Sequence, residues 1–167
     1  MSTTAFQSNP VQLNGTFITI GKKAPQINLV RSDLSTCTLD DYHGRYIIMN
    51  IFPSLDTGIC ATSVRKFNAL AASRPNAVVL CISRDLPFAQ NRFCTVEGLK
   101  NVIALSDFRR DSTFGIDYGV EMLDGPLAGL LARAIVVINP EGQVCHAQLV
   151  PEIKTEPDYE AAIKAIK

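Results

Sequence analysis

The stretch Ile48-Met49-Asn50-Ile51-Phe52-Pro53-Ser54-Leu55-Asp56-Thr57-Gly58-Ile59-Cys60 reads as a buried strand, a turn, and one cysteine at the start of a helix. The run Ile47 to Phe52 is short and β-branched, the pattern of a strand covered on both faces. Pro53 ends it, because proline brings no N–H to a sheet ladder. Ser54, Asp56, Thr57 and Gly58 are turn and N-cap residues. Beyond Cys60 the period changes, and Val64, Phe67, Leu70 and Ala71 fall on one helical face. Cys60 is therefore expected at a helix N-terminus, where unpaired N–H groups and the helix dipole favour an anion. The thiolate, not the thiol, is the reactive form of cysteine.

Working outward, Val11 to Ile20 predicts a β-hairpin turning at Asn14-Gly15, with Ile27 to Val30 a short strand behind it. Asp40 to Gly44 has the makings of one helical turn. Ala77 to Ser83 and Ala134 to Ile138 are further buried strands, and Val102 to Leu105 is a shorter one. Helices are expected over Cys60 to Ser73, from Pro87 (capped by Asp85) to about Val96, over Ser112 to Tyr118, and after Glu156-Pro157-Asp158. Glu121 to Leu131, with Gly125-Pro126 and Gly129, reads as a loop. Val144 to Val150 returns antiparallel after the turn Asn139-Pro140-Glu141-Gly142. The order is a hairpin, then β-α-β-α-β-α, then β-β-α, expected to form an α/β sheet.

One chain of 167 residues, 47% hydrophobic and 19% charged, fits a single domain spanning 1–167 with a full core. Sixteen basic residues balance sixteen acidic ones, which gives no reason to expect nucleic acid or an anionic membrane as partner. Met1 to Gln7 lacks the basic and apolar regions of a secretory signal, and no apolar run reaches membrane-spanning length, so a cytoplasmic protein is expected. The five cysteines (Cys37, Cys60, Cys81, Cys94, Cys145) are an odd number and do not suggest a static disulfide framework. No spacing suggests a metal site, and no phosphate loop, haem or flavin motif is present, so no cofactor is expected. Cys145-His146 invites a paired reading, but neighbours on a strand point to opposite faces. Cys81 reads as an inert residue inside a buried strand.

A Cys-x-x-Cys pair at the helix start would exchange disulfides locally; here Cys60-Ala61-Thr62-Ser63 lacks the second thiol. Pro53-Ser54-Leu55-Asp56-Thr57-Gly58-Ile59-Cys60 matches the Pro-x-x-x-Thr-x-x-Cys motif of peroxiredoxins. The longer string Asn50 to Asn68 resembles the bacterial thiol peroxidases, the atypical two-cysteine branch of that family. Agreement extends to Val79 to Ser83, Asp85 to Gln90, Arg92-Phe93-Cys94, Leu131 to Ala134 and Glu152 to Glu160. The resemblance implies a thioredoxin-like fold with an N-terminal β-hairpin extension and a central mixed sheet flanked by helices. It implies an antioxidant peroxidase acting on hydrogen peroxide and organic hydroperoxides, an alkyl preference, recycling by thioredoxin, and a homodimer.

The same resemblance assigns the site. Cys60 is the peroxidatic nucleophile and Cys94 the resolving thiol, closing an intrachain Cys60–Cys94 disulfide after local unfolding of the first turns of both helices. Thr57 accepts a hydrogen bond from the peroxide, Pro53 shields the sulfur from water, and Arg133 favours the ionised thiol and the charge building on oxygen. Phe52, Leu55, Phe88, Phe93, Met122 and Leu127 are candidates for an apolar groove, while Gly119 to Leu131 and the Cys60 loop are candidate dimer contacts. Two other classes stay open from the residues themselves. One is a thiol–disulfide oxidoreductase or monothiol glutaredoxin-like protein, against which the absence of a proline before Ala134 counts. The other is a non-enzymatic redox sensor or holdase.

Overall fold

The computed structural model describes residues 1–167. Its strands are β1 (Thr3–Phe6), β2 (Asn9–Asn14), β3 (Leu29–Arg31), β4 (Thr36–Cys37), β5 (Tyr46–Ile51), β6 (Ala77–Ser83), β7 (Ile103–Ser106), β8 (Glu121–Met122), β9 (Ala134–Ile138) and β10 (Val144–Leu149). Its α-helices are α1 (Gly58–Ala71), α2 (Pro87–Glu97), α3 (Phe114–Asp117) and α4 (Tyr159–Lys164), with one 3-10 turn at Leu39–Tyr42. Seven strands form a mixed sheet in the order β10-β9-β5-β6-β7-β3-β4. β5, β6 and β7 run parallel, while β9 pairs antiparallel to both β5 and β10. No helix is long and apolar enough to cross a membrane.

Period 2 decides what each face of the sheet buries. Ile47, Met49 and Ile51 of β5 join Leu80, Ile82, Val136 and Ile138 on one face, under Phe114 and Tyr118. Ile48 and Phe52 join Val79, Cys81, Ile135 and Val137 on the other, under Cys60, Val64 and Phe67 of α1 and Ala162 of α4. Each fully buried apolar side chain of this kind stabilises the fold by roughly 1.5–3 kcal/mol. The period-3.6 stripe read after Cys60 is thus the face that seats α1 on the sheet and fixes where the cysteine lies.

The N-terminal hairpin forms one strand earlier than expected. β1 pairs with β2, and the turn is Gln7-Ser8, not Asn14-Gly15. Both turn residues have positive φ, 51° and 68°, the two-residue pattern that usually calls for Asn or Gly. Their N–H groups donate to the carboxylate of Glu152 at 3.1 and 2.9 Å, so a tertiary contact holds a turn that local propensity does not favour. Gly15 serves a different purpose: a Cβ there would lie 2.8 Å from the Ile116 carbonyl oxygen. Gly119 makes the matching approach, since its Cβ would lie 2.3 Å from the Thr16 main chain. The two glycines let the chain after β2 cross the end of α3. The segment 121–131, read as a loop, contributes β8, which pairs with β2 to give a three-stranded sheet β1-β2-β8.

Candidate functional site

Pro53 follows β5, and the turn 54–57 carries the chain into α1. Thr57 caps that helix: its Oγ1 accepts from the Cys60 N–H at 3.4 Å and donates to the Ser54 carbonyl at 3.1 Å. The single hydroxyl hydrogen is used in this way, leaving a lone pair toward the cleft. Cys60, in the first turn of α1, is completely buried. Arg133, immediately before β9, is 1% exposed and donates from Nη2 to Cys60 Sγ at 3.1 Å. Its Nε donates to the Ile153 carbonyl at 2.8 Å, and its Nη1 is buried with no partner.

A guanidinium so buried costs several kcal/mol unless anions or acceptors surround it. The cysteine sulfur is the group in hydrogen-bond contact with it that can carry a negative charge. Nη1 of the same guanidinium is left as a buried donor with no partner. The arrangement can therefore hold an anionic sulfur and offer a further N–H to an oxygen brought next to it.

A cleft of about 430 Å³ opens at this point. Pro53, Thr57 and Arg133 line it, and its apolar walls come from Phe6, Ile59, Leu127, Leu130 and Ile153. Of the residues expected to form a groove, only Leu127 belongs to it. Phe52 and Met122 are core residues, Leu55 and Phe93 line a separate hollow against α2, and Phe88 is 66% exposed. Phe6 and Ile153 were missed because hydropathy does not show that the hairpin and the segment after β10 meet at this cleft.

Asp85 is a second residue whose placement differs from expectation. It does not cap α2; Leu86 occupies the N-cap position with no side-chain bond. Its carboxylate accepts instead from Ser54 Oγ at 2.7 Å, from the Leu55 N–H at 2.8 Å and from Ser83 Oγ at 2.7 Å. Asp85 thereby ties the turn before Cys60 to the end of β6. Replacing it by Ala leaves the buried Leu55 amide without a partner. Asp85→Ala is expected to lower stability by about 2–3 kcal/mol and the rate of any reaction that depends on the placement of Cys60 by roughly tenfold. Thermal unfolding and initial rates measured on the same preparation check both.

Asn50, polar in the middle of an apolar strand, was a visible signal that went unused. Its Nδ2 donates to Ser63 Oγ at 3.2 Å, and Ser63 donates to the Cys60 carbonyl at 2.8 Å. Ser63, standing where a second cysteine would be, thus braces the first turn of α1.

Cys94 lies half-buried in the last turns of α2, not in its first turn as expected, because the helix already starts at Pro87 and ends at Glu97. That helix ends on Gly98 in the left-handed conformation, and the Leu99 N–H returns to the Cys94 carbonyl at 3.0 Å. All five cysteines are free thiols. Burial pushes the Cys81 thiol up to about 12, and it raises those of Cys37, Cys94 and Cys145 as well. β10 is bulged between Val144 and His146, which interrupts the alternation that was expected to separate Cys145 from His146. Cys145 Sγ nonetheless turns to the carbonyls of Val137 and Ala165, at 3.5 and 3.9 Å.

A redoxin family model matches residues 19–163. The thiol peroxidase of Corynebacterium glutamicum is 51% identical over 99% of both chains, and that of Mycobacterium tuberculosis is 49% identical over the same share. A peroxiredoxin-like protein from Aquifex aeolicus superposes with a TM-score of 0.92 at 39% identity, covering 99% of this chain and 96% of its own. A thiol peroxidase from Chromobacterium violaceum shares the fold, with a TM-score of 0.89 at 22% identity over 98% of this chain and 95% of its own. The fold is the thioredoxin-like one of peroxiredoxins. The chain belongs to the redoxin family and, within it, to the thiol peroxidases, enzymes of the peroxiredoxin type.

Proposed function

We propose that the protein reduces hydrogen peroxide and alkyl hydroperoxides through Cys60, resolves the product with Cys94, and is recycled by thioredoxin. The observation that carries this reading is the Arg133 Nη2 contact to Cys60 Sγ at 3.1 Å, with a second guanidinium nitrogen left free beside it. The Cys60 thiolate attacks the terminal oxygen of the hydroperoxide. An S–O bond forms as the O–O bond breaks, and the departing alkoxide or hydroxide leaves as alcohol or water after taking a proton. Arg133 Nη1 is placed to share the negative charge that grows on the oxygens. The lone pair on Thr57 accepts from the peroxide O–H, and Pro53 closes the wall of the cleft against water. The apolar walls around Phe6, Leu127 and Leu130 favour an alkyl substituent.

The Cys94 thiol then attacks the sulfenic sulfur, expelling water and leaving a Cys60–Cys94 disulfide. Disulfide geometry needs Cα atoms about 4.4–6.8 Å apart. Cys60 is sealed in the first turn of α1 and Cys94 is half-buried in the last turns of α2, so both regions open during this step. A thioredoxin dithiol returns the pair to thiols. We further propose one domain over residues 1–167, a cytoplasmic location, and a homodimer. For the dimer, exposed Leu123 lies in the expected contact segment Gly119 to Leu131, and exposed Ile116 lies just before it.

The test is mass mapping of disulfides after one equivalent of hydroperoxide. The expected product is a Cys60–Cys94 intrachain bond. A Cys60–Cys60 intermolecular bond, or a bond to Cys37 or Cys145, removes the proposed resolving step.

A further inference from the structure

The redoxin match begins at residue 19, so the hairpin β1–β2 lies outside the pattern that the family model covers. It is nevertheless bonded to the segment that holds Arg133. The Ile153 carbonyl takes the Arg133 Nε–H at 2.8 Å, and the Val150 N–H donates to the Arg133 carbonyl at 3.0 Å. The segment 150–154 therefore grips both the main chain and the side chain of the arginine. It belongs to no helix or named strand, and several of its fastenings come from the hairpin. Thr4, 5% exposed, donates from its hydroxyl to the carbonyls of Val150 and Pro151, at 2.8 and 3.2 Å. The Ile153 N–H donates to the Ala5 carbonyl at 2.9 Å, so the same residue is held through its amide and holds Arg133 through its carbonyl. Glu152 clasps the Gln7 and Ser8 amides from the other side. The Ser8 bond most of all, followed by those from the Lys154 and Gln7 amides, holds its carboxyl below the usual carboxylate range.

We propose that the N-terminal hairpin is a positioning device for Arg133, with Thr4 and Glu152 as its two fastenings. The inference rests on the proposed roles of Cys60 and Arg133. The physical need is plain: an arginine side chain carries about 2 kcal/mol of rotamer entropy, and only an anchored Nε aims Nη2 at the sulfur and Nη1 at the cleft. If Ile153 shifts, the anchor shifts with it, and the contact to Cys60 loosens without any change in Cys60, Thr57 or Pro53.

The test compares Thr4→Val, Thr4→Ser and Glu152→Ala with the unaltered chain, using Arg133→Met as reference. Val keeps the shape of Thr4 and removes its hydroxyl; Ser keeps the hydroxyl. Two quantities are read: the pH profile of Cys60 alkylation by iodoacetamide, followed on the mapped peptide, and kcat/KM for cumene hydroperoxide. Thr4→Val and Glu152→Ala are expected to move the alkylation midpoint up by about one pH unit and lower kcat/KM about tenfold. Thr4→Ser is expected to keep both. Loss of stability alone does not move a titration midpoint, and circular dichroism identifies any variant that is unfolded. Should Thr4→Val fail to fold, Glu152→Ala decides, because its site is at the surface. Unchanged profiles in the hairpin variants alongside a shifted profile in Arg133→Met overturn the hairpin's role alone. An unchanged profile in Arg133→Met overturns the role of the arginine, and the inference with it.

Discussion

Cys60→Ser is expected to lower thioredoxin-coupled hydroperoxide turnover by at least about 10³-fold. A serine hydroxyl at this position matches the cysteine in shape, so packing against Val64 and the sheet is retained and the protein stays folded. What is lost is the sulfur chemistry: an alcohol does not ionise near neutral pH and cannot form a sulfenic acid. The other four cysteines offer no substitute, because none is hydrogen-bonded to a cationic side chain as Cys60 is to Arg133, and burial raises the pKa of each of their thiols. The same variant separates the readings left open by the residues alone. A monothiol oxidoreductase reduces low-molecular-weight disulfides with no peroxide present, and a redox sensor consumes peroxide slowly and substoichiometrically. Catalytic turnover of hydroperoxide that survives in Cys60→Ser rules out Cys60 as the nucleophile.

The sequence allowed part of this site to be read and withheld the rest for identifiable reasons. β5, β6 and β9 are continuous apolar runs because both faces are covered, and the sheet buries them as expected. The strand-turn-helix geometry of Cys60 followed from Pro53, the turn residues and the period change. The contact between Cys60 and Arg133 spans 73 positions of chain, and no local pattern encodes it; it reached the sequence reading only through family resemblance. The hairpin was misplaced because Asn14-Gly15 looks like a turn, whereas Gln7-Ser8 becomes one only when Glu152 binds its amides. Asp85 was misread for the same kind of reason. An Asp before a proline-started helix looks like a cap, but Ser54, Ser83 and the Leu55 amide compete for its carboxylate and win. In each error a local signal was outweighed by a tertiary hydrogen bond.

Arg133→Met is expected to lower kcat/KM by about 10²–10³-fold while leaving the fold intact. Methionine fills much of the buried volume of the side chain, and removing a sealed charge offsets the loss of the Nε bond to Ile153, so the melting temperature should move little. The kinetic loss has two sources. The Nη2 contact at 3.1 Å disappears, and so does the unpartnered Nη1 proposed to meet the peroxide oxygens. Arg133→Lys separates them. Lysine restores a positive charge, but as one compact nitrogen it cannot anchor on the Ile153 carbonyl, face the sulfur and still direct an independent donor into the cleft. Its expected defect is intermediate, about tenfold, with the alkylation profile of Cys60 largely recovered and the peroxide rate not. This split tests the guanidinium as a divided device: Nε for anchoring, Nη2 for the sulfur and Nη1 for the substrate. A lysine variant that recovers the full peroxide rate shows that charge alone suffices, and an Arg133→Met protein within about threefold of wild type removes the arginine from the mechanism.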